Sequence, residues 1–300
     1  MKKRIFIIAG LIIIIGIVLI VSNSQLKSST FENVEIPEDE VIETMEEETE
    51  EEQEQSQESE EESEKQETGE SRQISKILLD VVRGTIDFFS NRETHVVAIG
   101  DSLTKGVGDS KKQGGYVGIL DRSINQETEL VLFDNYGIRG YRSDQLLKYL
   151  DEPEVTKSIT DSDIVLITIG ANDIMQVVKK NFTDLNLDDF MQERDRYEER
   201  LRQIFTKIQD MNASTEIYLL GFYNPFEKYF QEIEELSIIV EEWNSTGKTI
   251  AEEYNNVTFI PTVDLFDDPN ADLFAEDNFH PNDLGYQRMA RRVLEYLTDE

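Results

Sequence analysis

The sequence contains no cysteine. That excludes disulfides, a thiolate zinc site and a lipidated cysteine, and it leaves the redox compartment open. Basic residues are also scarce: 29 Lys and Arg stand against 63 Asp and Glu, a formal net charge of −34. Phosphate backbones are held by clustered Lys and Arg, so this balance argues against nucleic acid as a partner. It equally disfavours electrostatic docking on anionic lipid headgroups. Histidine is the third scarcity. Only His95 and His280 are present, so chemistry that needs an imidazole has two candidates.

What is present is unevenly distributed. Residues 32–70 hold twenty acids and one lysine, whereas residues 1–31 hold four bases and no acid. Lys2-Lys3-Arg4 precedes an unbroken apolar run over residues 5–21. As a helix that run spans about 26 Å, near the hydrocarbon thickness of a thin bilayer. Positive charge ahead of it places the N-terminus inside and the rest of the chain outside. The expected order is a cytoplasmic tip at residues 1–4, a transmembrane signal anchor at 5–21 and a disordered acidic linker at 22–71. The linker would hold a domain on the order of 40 Å or more from the membrane. The alternative is a signal peptide cut near Ser22-Asn23-Ser24, which would release a secreted protein. No Ala-x-Ala follows the run, which is long for a signal peptide, so the anchor is preferred.

Ile74, Ile77, Leu78, Val81 and Val82 recur at helical spacing and predict a lead-in helix within residues 72–93. From residue 94 to 300 the pattern alternates. Strands are expected at 95–99, 130–133, 164–169, 216–220 and 257–260. Helices are expected at 116–126, 143–150, 187–211, 230–254 and 283–297. Short apolar strands alternating with longer helices specify an α/β fold: a parallel five-stranded sheet covered on both faces, a three-layer α/β/α sandwich. The expected strand order is 2-1-3-4-5, the flavodoxin-like arrangement, whose ligands bind beyond the carboxyl ends of the strands.

Four segments fall at that end. Gly100-Asp101-Ser102-Leu103 follows the first strand; its glycine permits a sharp turn and leaves Ser102 exposed near a helical start. Asn135-Tyr136-Gly137-Ile138-Arg139-Gly140 follows the second, where the Gly140 N–H can approach a ligand closely. Gly170-Ala171-Asn172-Asp173 follows the third, and the Asn172 amide can donate a hydrogen bond without carrying charge. Asp277-Asn278-Phe279-His280-Pro281 lies near the C-terminus, with a carboxylate three residues before an imidazole it can orient. Each has an ordinary reading on its own: a turn tripeptide, a loop, a helix cap, a surface histidine beside an acid. His95 opens a strand at the end opposite the ligand crevice and is expected to be a packing or edge residue.

Together, at successive strand ends and in order, these segments resemble the four blocks of the SGNH, or GDSL, serine hydrolases over roughly residues 96–297. The resemblance implies Ser102 as nucleophile, His280 as base and Asp277 as its orienting acid. It implies an oxyanion hole made of the Ser102 N–H, the Gly140 N–H and the Asn172 side chain, with no metal and no organic cofactor. Gly-x-Ser-x-Gly, the elbow of α/β-hydrolases, is absent. Asp173 is expected to support its loop, and Met175 and Phe279 to line either a pocket or the core. The long segment 177–211 and the aromatic-rich 222–226 are expected to shape the pocket. The implied function is a membrane-tethered, extracytoplasmic esterase acting on small-molecule, lipid or glycan esters through an acyl-enzyme. Rival readings are an O-deacetylase of cell-wall sugar polymers, an inactive binding module and a metal-dependent phosphatase using Asp101 and Asp173.

Overall fold

A computed structural model describes residue 89 and residues 93–126, 128–181, 186–225, 234–268 and 270–298. The expected tip, anchor, linker and nearly all of the lead-in helix lie outside them; Phe89 is helical and buried. No described helix is long and apolar enough to cross a membrane.

The sheet holds five parallel strands in the order β2-β1-β3-β4-β5. These are β1 (Thr94–Gly100), β2 (Val131–Gly137), β3 (Ile164–Thr168), β4 (Glu216–Leu220) and β5 (Val257–Ile260). The interior strands read as continuous apolar runs because both their faces are covered. Val97 and Ile99 of β1, with Val165 and Ile167 of β3, face a core that includes Leu146, Leu201 and Trp243. Val96 and Ala98, with Ile164 and Leu166, face a second core around Tyr116, Tyr286 and Leu294. That two-residue alternation divides one sheet between two helical layers.

Helices α1 (Ser102–Lys105) and α2 (Gly115–Ile124) follow β1. Next come α3 (Ser143–Tyr149) and α4 (Pro153–Thr160), then α5 (Ala171–Lys180) and α6 (Leu187–Met211) after β3. Helix α7 (Glu234–Ala251) follows β4, and α8 (Val263–Phe266) and α9 (Asp283–Thr298) close the chain.

The differences from expectation are local. β2 runs on through Gly137, into residues whose polarity reads as a loop. It is an edge strand, so polar side chains there reach partners beside the sheet: Asp134 meets His95 and Ser158, and Asn135 reaches the Thr104 carbonyl. Helices α4 and α5 replace expected loop. α4 starts with Pro153 at its first turn, where a missing N–H costs nothing. Helix α7 ends at Ala251, short of the expected 254, and the expected start at 230 lies outside the described residues.

Candidate active site

Ser102 is placed by three neighbours. Gly100 leaves β1 at φ +141°, and a Cβ there would lie 2.1 Å from the Thr168 carbonyl oxygen, so only glycine lets β1 turn this close to β3. Asp101 caps α1 by accepting the Leu103 N–H at 3.0 Å, and it accepts the Thr168 hydroxyl at 2.9 Å. Thr168 in turn meets Thr104 at 2.7 Å. Burial pushes the Asp101 carboxyl up to about 6, with the hydrogen bonds from Leu103 and Thr168 opposing the rise. Ser102 is the first residue of α1, so its N–H has no acceptor within the helix.

The C-terminal loop brings His280 across 178 positions of sequence to Ser102, with Nε2 2.9 Å from Oγ. The other ring nitrogen, Nδ1, lies 2.5 Å from Asp277 Oδ2. With a carboxylate accepting at Nδ1, the neutral ring keeps its proton there and leaves Nε2 as acceptor for the serine hydroxyl. Asp277 Oδ1 also accepts the N–H groups of Phe279 at 3.0 Å and His280 at 2.9 Å. Burial works to raise the Asp277 carboxyl. The His280 ring and these backbone donors outweigh it and lower the group to about 2. The Tyr223 hydroxyl fixes the same loop by donating to the Phe279 carbonyl at 2.9 Å. Ser102 and His280 are both buried, so their contact is shielded from bulk water.

Gly140 lies in the loop after β2, and Asn172 in the first turn of α5 after β3. Nothing lies within 4 Å of where a Gly140 Cβ would stand, so the space beside this backbone is open. Asn172 Nδ2 donates to the Tyr141 carbonyl at 2.9 Å; the amide is thereby oriented and keeps a second N–H. Asp173 does not cap its own helix, whose N-cap is Gly170. Instead it caps α3: its carboxylate accepts the Ser143 N–H at 2.9 Å and the Ser143 hydroxyl at 2.6 Å. Burial raises Asp173 to about 6 against the pull of Ser143 and Arg200.

A cleft whose empty space, part of it open to solvent, is about 580 Å³ lies beside Ser102. Ala171, Ile174 and Met175 line it from α5, Phe222 and Pro225 from the segment after β4, and Val240 from α7. Phe279 closes it near His280, so Met175 and Phe279 both face the cleft. The stretch 222–226 contributes through its described residues, whereas the described residues of 177–211 supply no lining residue. His95 lies at the opposite end of the sheet, its Nε2 3.0 Å from Asp134 Oδ2 and its Nδ1 3.3 Å from the Asp161 carbonyl. Among the described residues, no three His, Cys, Asp or Glu side chains cluster so as to hold a metal ion.

Sequence reasoning missed Ser143 and Arg200 as supports of the site. Only Asp173, beside Asn172, carried a signal that could have led to Ser143.

The family model of the GDSL-like Lipase/Acylhydrolase family matches residues 98–288. YpmR of Bacillus subtilis is 35% identical over 209 residues, covering 68% of this chain and 82% of that protein. The spore germination lipase LipC of Bacillus licheniformis is 24% identical over 204 residues, covering 65% of this chain and 92% of that one. Among solved structures, the lipase Lip_vut3 from a goat rumen metagenome superposes with a TM-score of 0.60 at 22% identity, covering 69% of this chain and 97% of that chain. With the matched span running from the middle of β1 into α9, the chain belongs to the GDSL-like lipase/acylhydrolase family.

Proposed function

We propose that the protein is a carboxylic-ester hydrolase for esters with an apolar acyl chain, working through an acyl-enzyme on Ser102. The observation that carries this reading is the 2.9 Å contact between Ser102 Oγ and His280 Nε2, made at the mouth of a cleft with an apolar lining. Ser102 Oγ attacks the ester carbonyl while its proton passes to His280 Nε2, and Asp277 stabilises the imidazolium. The tetrahedral oxyanion is received by the N–H groups of Ser102 and Gly140 and by the free N–H of Asn172. Collapse expels the alcohol, which takes the proton from His280 and leaves the acyl group on Ser102. Water then attacks, giving its proton to His280; the acid departs and Ser102 is reprotonated.

The cleft selects among substrate classes. An acetyl group needs little apolar wall, whereas a longer chain would bury against Ile174, Met175, Phe222 and Val240. Each buried methylene contributes about 0.8 kcal/mol, roughly fourfold in kcat/KM. A p-nitrophenyl ester series from acetate to decanoate tests the reading: kcat/KM should climb by up to about 15-fold with each added pair of carbons, then level off as the cleft fills. A maximum at acetate would favour the sugar O-deacetylase reading instead. No turnover on any ester would favour the inactive module.

The same proposal places the domain outside the cell, held by the apolar segment at residues 5–21. Its support is that segment's length and its Lys2-Lys3-Arg4 flank. Protease added to intact cells should remove the activity from the membrane fraction; activity confined to the soluble interior would contradict it.

A further inference from the structure

We propose that Arg200 and Glu193, both on α6 and outside the four blocks, are positioning residues for the oxyanion hole. The inference rests on the ester-hydrolase reading above. The loops carrying Gly140 and Asn172 come from different strands, so their spacing must be set by contacts between them. Two contacts do this: Asn172 to the Tyr141 carbonyl, and the paired hydrogen bonds of Ser143 to Asp173. The second contact depends on charge. An ionised carboxylate accepts from both Ser143 groups at once, whereas a protonated one turns an oxygen into a donor and loses an acceptor.

Arg200 stands at the centre of that clamp. Its Nη1 lies 3.1 Å from Asp173 Oδ1, 3.2 Å from Ser143 Oγ and 2.8 Å from Glu193 Oε1. Glu193 Oε2 accepts from Arg196 at 2.8 Å, which fixes the carboxylate that orients Arg200. Asp173 is fully buried, and Arg200 is the cation paired with it. The other charged or titratable groups bearing on Asp173 are Glu193 and Tyr197 of α6 and Asp101 after β1. Glu193 and Asp101 both repel its negative charge, and Tyr197 is neutral at working pH. Desolvation and these two acids therefore favour the proton, while Arg200 and Ser143 favour the carboxylate. Removing Arg200 should leave Asp173 protonated at neutral pH and the clamp loose.

The test is the pH profile of kcat and KM on p-nitrophenyl octanoate for the full chain and three variants, with thermal melts alongside. Arg200→Met should lower kcat by about 10- to 100-fold at pH 7 with KM within about threefold. The deficit should shrink as pH rises, because Asp173 then ionises without help; the acid limb should move up by about one unit or more. Arg200→Lys, which keeps a cation, should recover most of the activity. Glu193→Gln keeps an acceptor for Arg200 but removes a repelling charge, so its acid limb should move down. If Arg200→Met fails to fold, a downward displacement in Glu193→Gln, with the Arg200→Lys limb near that of the wild type, still decides the matter.

A pH-independent loss unrelieved by lysine, a change in KM alone, or an acid limb unmoved in Glu193→Gln would overturn the proposal while wild-type turnover leaves the functional reading intact. Absence of turnover in the wild type would bring down both.

Discussion

Gly108 lies directly against His280: a Cβ on Gly108 would stand 3.0 Å from the His280 Cβ and 2.4 Å from the Pro281 carbonyl oxygen. The loop after α1 is therefore a wall against the backbone that carries the imidazole. Gly108→Ala should push that wall into the histidine. Displacing a reacting group by about 1 Å costs on the order of 100-fold. The variant should lose kcat by that order and react correspondingly slowly with a fluorophosphonate. Steady-state kinetics and labelling rates at wild-type values would show that the loop yields without moving the ring.

Asn172 offers a separate test because its amide has one partner at Tyr141 and one N–H to spare. Asn172→Ala should lower kcat by about 10²- to 10³-fold while changing KM little, since the amide stabilises charge that develops only in the transition state. A loss carried by KM would assign Asn172 to substrate binding.

Val240 reaches the cleft from α7, on the sheet side away from β2. Val240→Trp fills part of the volume a chain would occupy. The preferred p-nitrophenyl ester should shorten by about two to four carbons, with hydrolysis of the acetate nearly unchanged. An unshifted optimum would place the acyl chain elsewhere.

Asp101 and Asp173 should make the protein less stable as pH rises. Each ionises near 3.8 when unfolded and at about 6 when folded. Between those values the folded state retains protons that the unfolded state has released, so stability falls as pH climbs from about 4 to about 6 and stays lower above. Asp101→Asn keeps an oxygen for Leu103 and Thr168 and removes the buried charge. It should gain about 1–3 kcal/mol at pH 8 and roughly a third of that at pH 4.5. Urea unfolding at the two pH values measures this; equal effects at both would contradict the assignment.

Much of this structure is legible in the sequence, for a physical reason. Strands β4 and β5 and helix α6 fall at their expected limits because apolar periodicity is a local property. The contact of Ser102 with His280 joins two candidates that the sequence marks by a strand end and a turn signal, as it marks Gly140 and Asn172. β2 is misread beyond Phe133, since polar residues on an edge strand resemble loop. Arg200, Ser143 and Gly108 are illegible for a different cause. Arg200 lies 27 positions from Asp173, and Gly108 far from His280, with no local pattern joining either pair. Only packing brings them together.

The central claim, that Ser102 is the nucleophile activated by His280, is tested most directly by fluorophosphonate labelling of the purified full-length protein followed by peptide mass spectrometry. One adduct per chain is expected, on Ser102, with labelling reduced by orders of magnitude in His280→Ala. An adduct on another residue, or undiminished ester hydrolysis in Ser102→Ala, would contradict it.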